Sequence, residues 1–302
     1  MKWLMAFTVL LLACFSWPIW LWTRFACNSP LYSYTLLIPF ISGYLAWSKK
    51  DLSREGRAWE SDVRANLAGA AWPLIGAVAM LAWYWATRGQ GWVQQDVLAL
   101  TTCALLLFLV SGVWACLGAR TVWRFAFPLA FLSFMVPLPV VLESGLESFL
   151  QHRSADVAQG IFGLFGMPLL RQETVFQLPG FNLEVAPECS GIHSTLVLFI
   201  TSVVAGQAFL KKGWTRVLLS AAVIPLALLR NGFRVFVIGE LCVNVSPDMI
   251  NSYIHRKGGP IFFALSLAPF FALLLGLRWL ERKGMKRGIR QQEMEPLMDA
   301  HR

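Results

Sequence analysis

The sequence predicts an all-α integral membrane protein of about eight transmembrane helices, and three observations carry that prediction. Of 302 residues, 57% are hydrophobic and only 14% charged, whereas a soluble domain carries roughly 25% charged residues. The apolar residues fall in blocks of roughly 17 to 22, the length a helix needs to cross a hydrocarbon core. Lys and Arg are spread unevenly over alternate connecting segments, as they are when basic residues orient a bundle.

The apolar blocks place spans at 4–22, 31–47, 67–87, 97–117, 125–142, 189–209, 216–242 and 260–277. Met1-Lys2 and the run from Trp3 to Trp22 are too long for the apolar region of a cleaved secretory signal, and no small-x-small site follows closely, so the run is read as the first span. Between the fifth and sixth spans, Glu143–Phe165 carries Leu146, Phe149, Leu150, Val157, Ile161 and Leu164. That spacing suits an amphipathic helix lying along the membrane interface. Gly166-Met167-Pro168 ends it, and Thr174–Leu178, the turn Pro179-Gly180 and Phe181–Val185 alternate as a short hairpin. The polar tail after Arg278 is expected to be disordered or to lie on the anionic inner leaflet. The chain thus divides into a five-helix membrane region (1–142), an outer loop with three helices (143–278) and a basic cytoplasmic tail (279–302).

Counting Lys and Arg on alternate sides gives 18 against six, with Arg230 and Arg234 assigned to a span to complete the 26. The bias puts both termini in the cytoplasm, and 143–188 and 243–259 outside. The net charge of +9 comes without any nucleic-acid recognition motif, so no nucleic acid is expected as a partner. Six cysteines show no C-x-x-C pair and no metal-ligand spacing with the four histidines; no metal or cofactor is expected. Cys14, Cys103 and Cys116 sit in apolar runs and read as small buried residues. Cys27 and Cys242 lie near the outer face, where an oxidising compartment could pair them or trap Cys189; Cys189 itself is expected to be free and reactive.

Three motifs fall at the outer ends of consecutive spans. In Pro187-Glu188-Cys189-Ser190-Gly191-Ile192-His193-Ser194 the thiol stands at a helix start, where the N-terminus and nearby cations favour thiolate. In Leu229-Arg230-Asn231-Gly232-Phe233-Arg234 two guanidiniums share one helix face inside an apolar span, which costs about 2.5 to 3.5 kcal/mol on insertion scales and marks a polar interior. Asn231 supplies an amide there, and Gly232 lets another backbone approach closely. In Ser252-Tyr253-Ile254-His255-Arg256-Lys257-Gly258-Gly259 the histidine can move a proton near neutral pH. Cys189, Arg234 and His255 together suit a nucleophile, an oxyanion stabiliser and a general acid/base.

Cys189-Ser190-Gly191-Ile192, the step from Asn231 to Arg234, and the step from His255 to Gly259 resemble the exosortase and archaeosortase group of multipass membrane transpeptidases, as does Leu178-Pro179-Gly180 upstream. The resemblance covers about 143–278, which would then be the catalytic region. It departs at His193, where many members carry an arginine soon after the cysteine motif, and at Arg230, where an apolar or small residue is common. It implies that Cys189 attacks a peptide bond near the C-terminal sorting signal of an exported protein to form a thioester. Arg234 would stabilise the oxyanion, and His255 would protonate the leaving amine. Glu188, His193, Arg230 and Asn231 are the candidate substrate contacts, with Arg230 or the Arg256–Lys257 pair meeting a substrate glutamate. The implied setting is the bacterial inner membrane. The implied partners are membrane lipid and membrane-anchored tails of the Pro-Glu-Pro type, linked to exopolysaccharide production, while the oligomeric state stays open. Two rivals stand beside this reading: a transporter or lipid-linked anion carrier built on Arg230 and Arg234, and a noncatalytic subunit of a polysaccharide export machine.

Overall fold

The structure is a computed structural model and describes residues 2–48, 63–178, 181–185, 190–246 and 258–299. It is mostly helical, because hydrocarbon offers no partners for backbone N–H and C=O groups and a helix pairs them internally. Among the described residues five helices are long and apolar enough to cross a membrane: Asn66–Gln90, Gln94–Leu117, Ile192–Phe209, Gly213–Asn244 and Gly259–Gly284. Counting two bent pairs as one span each, Leu4–Cys14 with Ser16–Asn28 and Ala126–Met135 with Val140–Leu164, raises the number to seven. The chain is therefore a multipass membrane protein. It divides into two compact units, Met1–Glu143 and Ser144–Arg302.

The first unit contains α1 (Lys2–Cys14), α2 (Ser16–Asn28), α3 (Ile38–Ser48), α4 (Val63–Thr87), α5 (Gln94–Leu117), α6 (Ala119–Arg124) and α7 (Ala126–Phe131). The expected span 31–47 is not one continuous α-helix. A 3-10 turn, Ser33–Leu37, precedes the 11-residue α3, which at ~1.5 Å per residue is only about half the hydrocarbon thickness. Polar ties hold the turn: Thr35 Oγ1 donates to Tyr32 O at 2.7 Å, and Tyr32 Oη donates to Glu143 Oε2 at 2.6 Å. Gln95 Nε2 donates to the same carboxylate and to Leu138 O. Hydropathy sees none of these partners.

The second unit holds α8 (Val140–Leu164, entering from the first), α9 (Ile192–Phe209), α10 (Gly213–Ala221), α11 (Val223–Asn244) and α12 (Gly259–Asp299). Its small antiparallel sheet runs β1 (Leu170–Gln172), β2 (Val175–Leu178), β3 (Phe181–Glu184) in that order. The β2–β3 pair has the alternation read from the sequence, with Phe176 opposite Leu183 and Leu178 opposite Phe181. Strand β1 is an addition. Its turn passes through Glu173 at φ 52°, where Arg171 Nε donates to Glu173 O at 2.5 Å.

The buried face of α8 differs from the expected one. Leu150, Ser154, Ala155, Ala158 and Phe162 are buried, while Phe149 and Leu164 are exposed. Small residues win the inner face because α11 comes very close. A Cβ built on Gly232 would lie 2.6 Å from Val157 Cγ1, and one on Gly239 would lie 2.6 Å from Phe162 Cζ. Gly232 and Gly239 are two turns apart, so one face of α11 receives α8. Phe162, Phe176, Leu178, Leu183, Val185, Val235, Phe236 and Cys242 close an apolar cluster that seats the sheet on these two helices.

A second cluster, including Leu198, Leu219, Val223, Phe270 and Leu274, joins α9, α10, α11 and α12. Helix α12 runs on to Asp299, through the segment expected to be a disordered or leaflet-bound tail. Past its apolar run, Glu281 is buried and accepts from Lys211 N at 2.9 Å, Lys212 N at 2.8 Å and Thr215 Oγ1 at 2.5 Å. The segment after it, rich in Glu, Lys, Arg, Met and Gln, has good intrinsic helix propensity.

Three substitutions test this packing by thermal or denaturant unfolding in detergent. Gly232→Val destabilises by about 1 to 3 kcal/mol through overpacking, whereas Gly160→Ala, where a Cβ meets nothing within 4 Å, is neutral or stabilising. Glu281→Ala removes charge-assisted hydrogen bonds and costs roughly 1.5 to 3 kcal/mol.

Candidate functional site

Helix α11 carries Arg230, Asn231 and Arg234, and its fourfold spacing sets both arginines on one face. Arg230 is 8% exposed and Asn231 2%; Arg234, one turn further along, is partly buried. Arg230 Nη2 donates to Gly191 O at 3.3 Å and to Thr195 Oγ1 at 3.4 Å. The arginine thus bears on the turn that opens α9, immediately after Cys189 in the chain.

That turn has a backbone only glycine adopts freely. Gly191 has φ 74°, and a Cβ there would stand 3.0 Å from Arg230 Nη2 and 3.2 Å from Asn231 Oδ1, so both the left-handed conformation and the space require it. Its carbonyl also accepts Thr195 N at 3.0 Å, Thr195 Oγ1 at 2.8 Å and Ser194 Oγ at 3.0 Å. Gly191 O is therefore the knot between α9 and α11.

Two polar groups near this knot are left over. Arg230 Nη1 is buried with no hydrogen-bond partner, and so is Ser190 Oγ, whose residue is 2% exposed. Among the described residues no carboxylate pairs with Arg230, and Arg153 and Arg171 both pair with Asp156. A buried donor without an acceptor costs roughly 1 to 3 kcal/mol, which an incoming acceptor would recover.

The other expected site residues divide as follows. His193 is exposed and, two positions from both Gly191 and Thr195, projects from another flank of α9, so the structure does not bring it to Arg230. Glu188, Cys189 and His255 lie outside the described residues, as do Arg256 and Lys257. Cys242 is 1% exposed inside the apolar cluster under the sheet, and Cys27 is exposed. Cys14 and Cys116 are exposed rather than buried, since in lipid a small apolar side chain can face outward at no cost. No group of three or more potential metal-ligating side chains occurs among the described residues. Ser190 entered the sequence reading only as part of the Cys189–Ile192 motif, and Thr195 was not singled out. The legible sign was a small polar residue one turn after Gly191 in an apolar span, on a helix neighbouring an intramembrane arginine.

In this multipass membrane protein the buried Arg230 of α11 docks on the Gly191 turn that opens α9. The family model described as transmembrane exosortase matches residues 22–272, and the chain belongs to that family. Neither the curated proteins nor the solved structures gave a significant match.

Gly191→Ala is expected to lower thermal stability by about 1 to 3 kcal/mol, because it combines a left-handed alanine with a crowded Cβ. Thr195→Val, which leaves Arg230 one acceptor short, costs about 1 kcal/mol in the same assay.

Proposed function

We propose that this chain is a cysteine transpeptidase of the inner membrane that cleaves the C-terminal sorting signal of exported proteins on the extracytoplasmic face. Both termini are cytoplasmic on this reading, which requires an even number of crossings. Ser33–Leu37 and α3 together rise about 26 Å at ~2.0 and ~1.5 Å per residue and supply the eighth beside the seven counted above.

The observation that carries the reading is the contact between Arg230 and Gly191, which sets the Asn231–Arg234 motif against the helix start that follows Cys189. Cys189 thiolate attacks the scissile carbonyl, and the C=O electron pair moves to oxygen. Arg234 stabilises that oxyanion. As the carbonyl re-forms, the C–N bond breaks and His255 gives its proton to the leaving amine, which leaves a thioester on Cys189. A second nucleophile then displaces the thiolate and takes the acyl group.

Arg230 Nη1 and Ser190 Oγ offer donors to a substrate carboxylate, for which a glutamate of the signal is suited. Asn231, His193 and Glu188 are further contacts of this proposal. A tail anchored in the bilayer reaches such a site by diffusion in two dimensions, and its basic end stays on the cytoplasmic side. The link to exopolysaccharide export belongs to the same reading. The unpartnered Arg230 Nη1 also suits an anion carrier, which forms no covalent intermediate.

The covalent step decides between them. A hydroxylamine-sensitive adduct between this protein and an exported protein is expected in wild-type membranes and absent from Cys189→Ala. Arg234→Ala should slow its formation at least about 100-fold. Cleaved tails formed at the wild-type rate by Cys189→Ala would end the transpeptidase assignment.

A further inference from the structure

One end of the second unit gathers cations that the proposed catalysis does not use. Glu281 binds the backbone N–H groups of Lys211 and Lys212, which brings the loop between α9 and α10 onto α12 where its apolar run ends. Lys211, Lys212, Arg282 and Lys283 are all exposed, and Lys212 Nζ lies 3.8 Å from a Cβ position built on Gly284. Segments about 70 residues apart in sequence thus contribute to one basic cluster.

Glu281 offsets part of the charge, through Lys212, and the cluster stays net positive. The neighbouring acid, Glu281, has both oxygens occupied by Lys211 N, Lys212 N and Thr215 Oγ1, and no described carboxylate forms an ion pair with any of the four cations. Glu281 also occupies the place an anion would take at the start of α10, so a further anion must be held by side chains.

Aromatic rings stand at the same level. Trp214 and Trp279 are each 57% exposed and Phe209 is 49% exposed. The Arg278 guanidinium lies 5.7 Å over the Phe209 ring, and Lys283 Nζ lies 4.5 Å over Trp279. Exposed Leu275 and Leu280 continue the surface along α12. Exposed tryptophan, basic side chains beside it and an apolar helix face next to both match the three zones of a phospholipid: glycerol, phosphate and acyl chain. A soluble anion would use only the cations.

We propose that Lys211, Lys212, Arg282 and Lys283, with Trp214 and Trp279, form a binding site for the phosphate headgroup of an anionic phospholipid. The site holds the α9–α10 loop and α12 at the membrane surface, and it is independent of the chemistry assigned to Cys189.

The test uses full-length protein in nanodiscs of mixed phosphatidylglycerol and phosphatidylcholine, with retained lipid counted by native mass spectrometry after partial delipidation. Wild type should retain phosphatidylglycerol in preference to phosphatidylcholine. Lys211→Gln/Lys212→Gln/Lys283→Gln should lose that preference roughly tenfold or more, and the corresponding triple arginine variant should keep it. A control removing equal charge elsewhere, Arg24→Gln/Arg88→Gln/Arg120→Gln, should change it less than about twofold. Equal losses in the two glutamine triples, loss in the arginine triple, or no headgroup preference in wild type would each overturn the proposal.

Discussion

A guanidinium inside an apolar helix is the constraint on which the second unit depends. Arg230 cannot snorkel away while it is 8% exposed, so partners must come to it. They come from the first turn of α9, and the geometry then propagates. Gly191 must be glycine to leave room for the guanidinium, and Thr195 must follow one turn later to share the hydrogen bonding. On the same helix, Gly232 and Gly239 admit α8, which carries the sheet that leads toward the cysteine motif. The charge thus fixes α9 against α11, and the two glycines fix α8 against the same helix.

Carboxylates do comparable work at the ends of the helices. Glu143 gathers Tyr32 and Gln95 in the first unit, and Glu281 gathers the loop before α10 in the second. Glu143 is half-buried and Glu281 is buried, and each accepts several hydrogen bonds. Hydrogen bonds to an ionised acceptor are stronger than neutral ones, and at the margin of a bilayer few waters compete for them. Glu143 holds the turn that interrupts the span expected at 31–47, and Glu281 ties the α9–α10 loop to α12.

Much of this was legible in the sequence. Long apolar runs became helices because lipid leaves no alternative, and the β2–β3 hairpin followed from alternation around Pro179-Gly180. What escaped was tertiary in origin. The turn at Ser33–Leu37 depends on Glu143, more than a hundred residues away. The inner face of α8 is set by the closeness of α11, which favours Ala155 and Ala158 over Phe149. Strand β1 is too short to announce itself, and its turn relies on a left-handed glutamate. At the site, the two arginines were conspicuous because charge in an apolar run is conspicuous. Ser190 and Thr195 were not, since hydroxyls are common in such helices, and only the position of the guanidinium gives them a role.

The proposed mechanism requires an activated thiol at Cys189 on the extracytoplasmic side with arginine support. It is tested most directly in intact cells, with a membrane-impermeant thiol reagent and a chain in which the other five cysteines are serine. The account predicts that Cys189 is labelled from outside near neutral pH, and that Arg234→Ala slows the labelling there while leaving it intact at alkaline pH, where any thiol ionises. A Cys189 that stays unlabelled, is reached only from the cytoplasm, or reacts with the same pH profile in Arg234→Ala would contradict it.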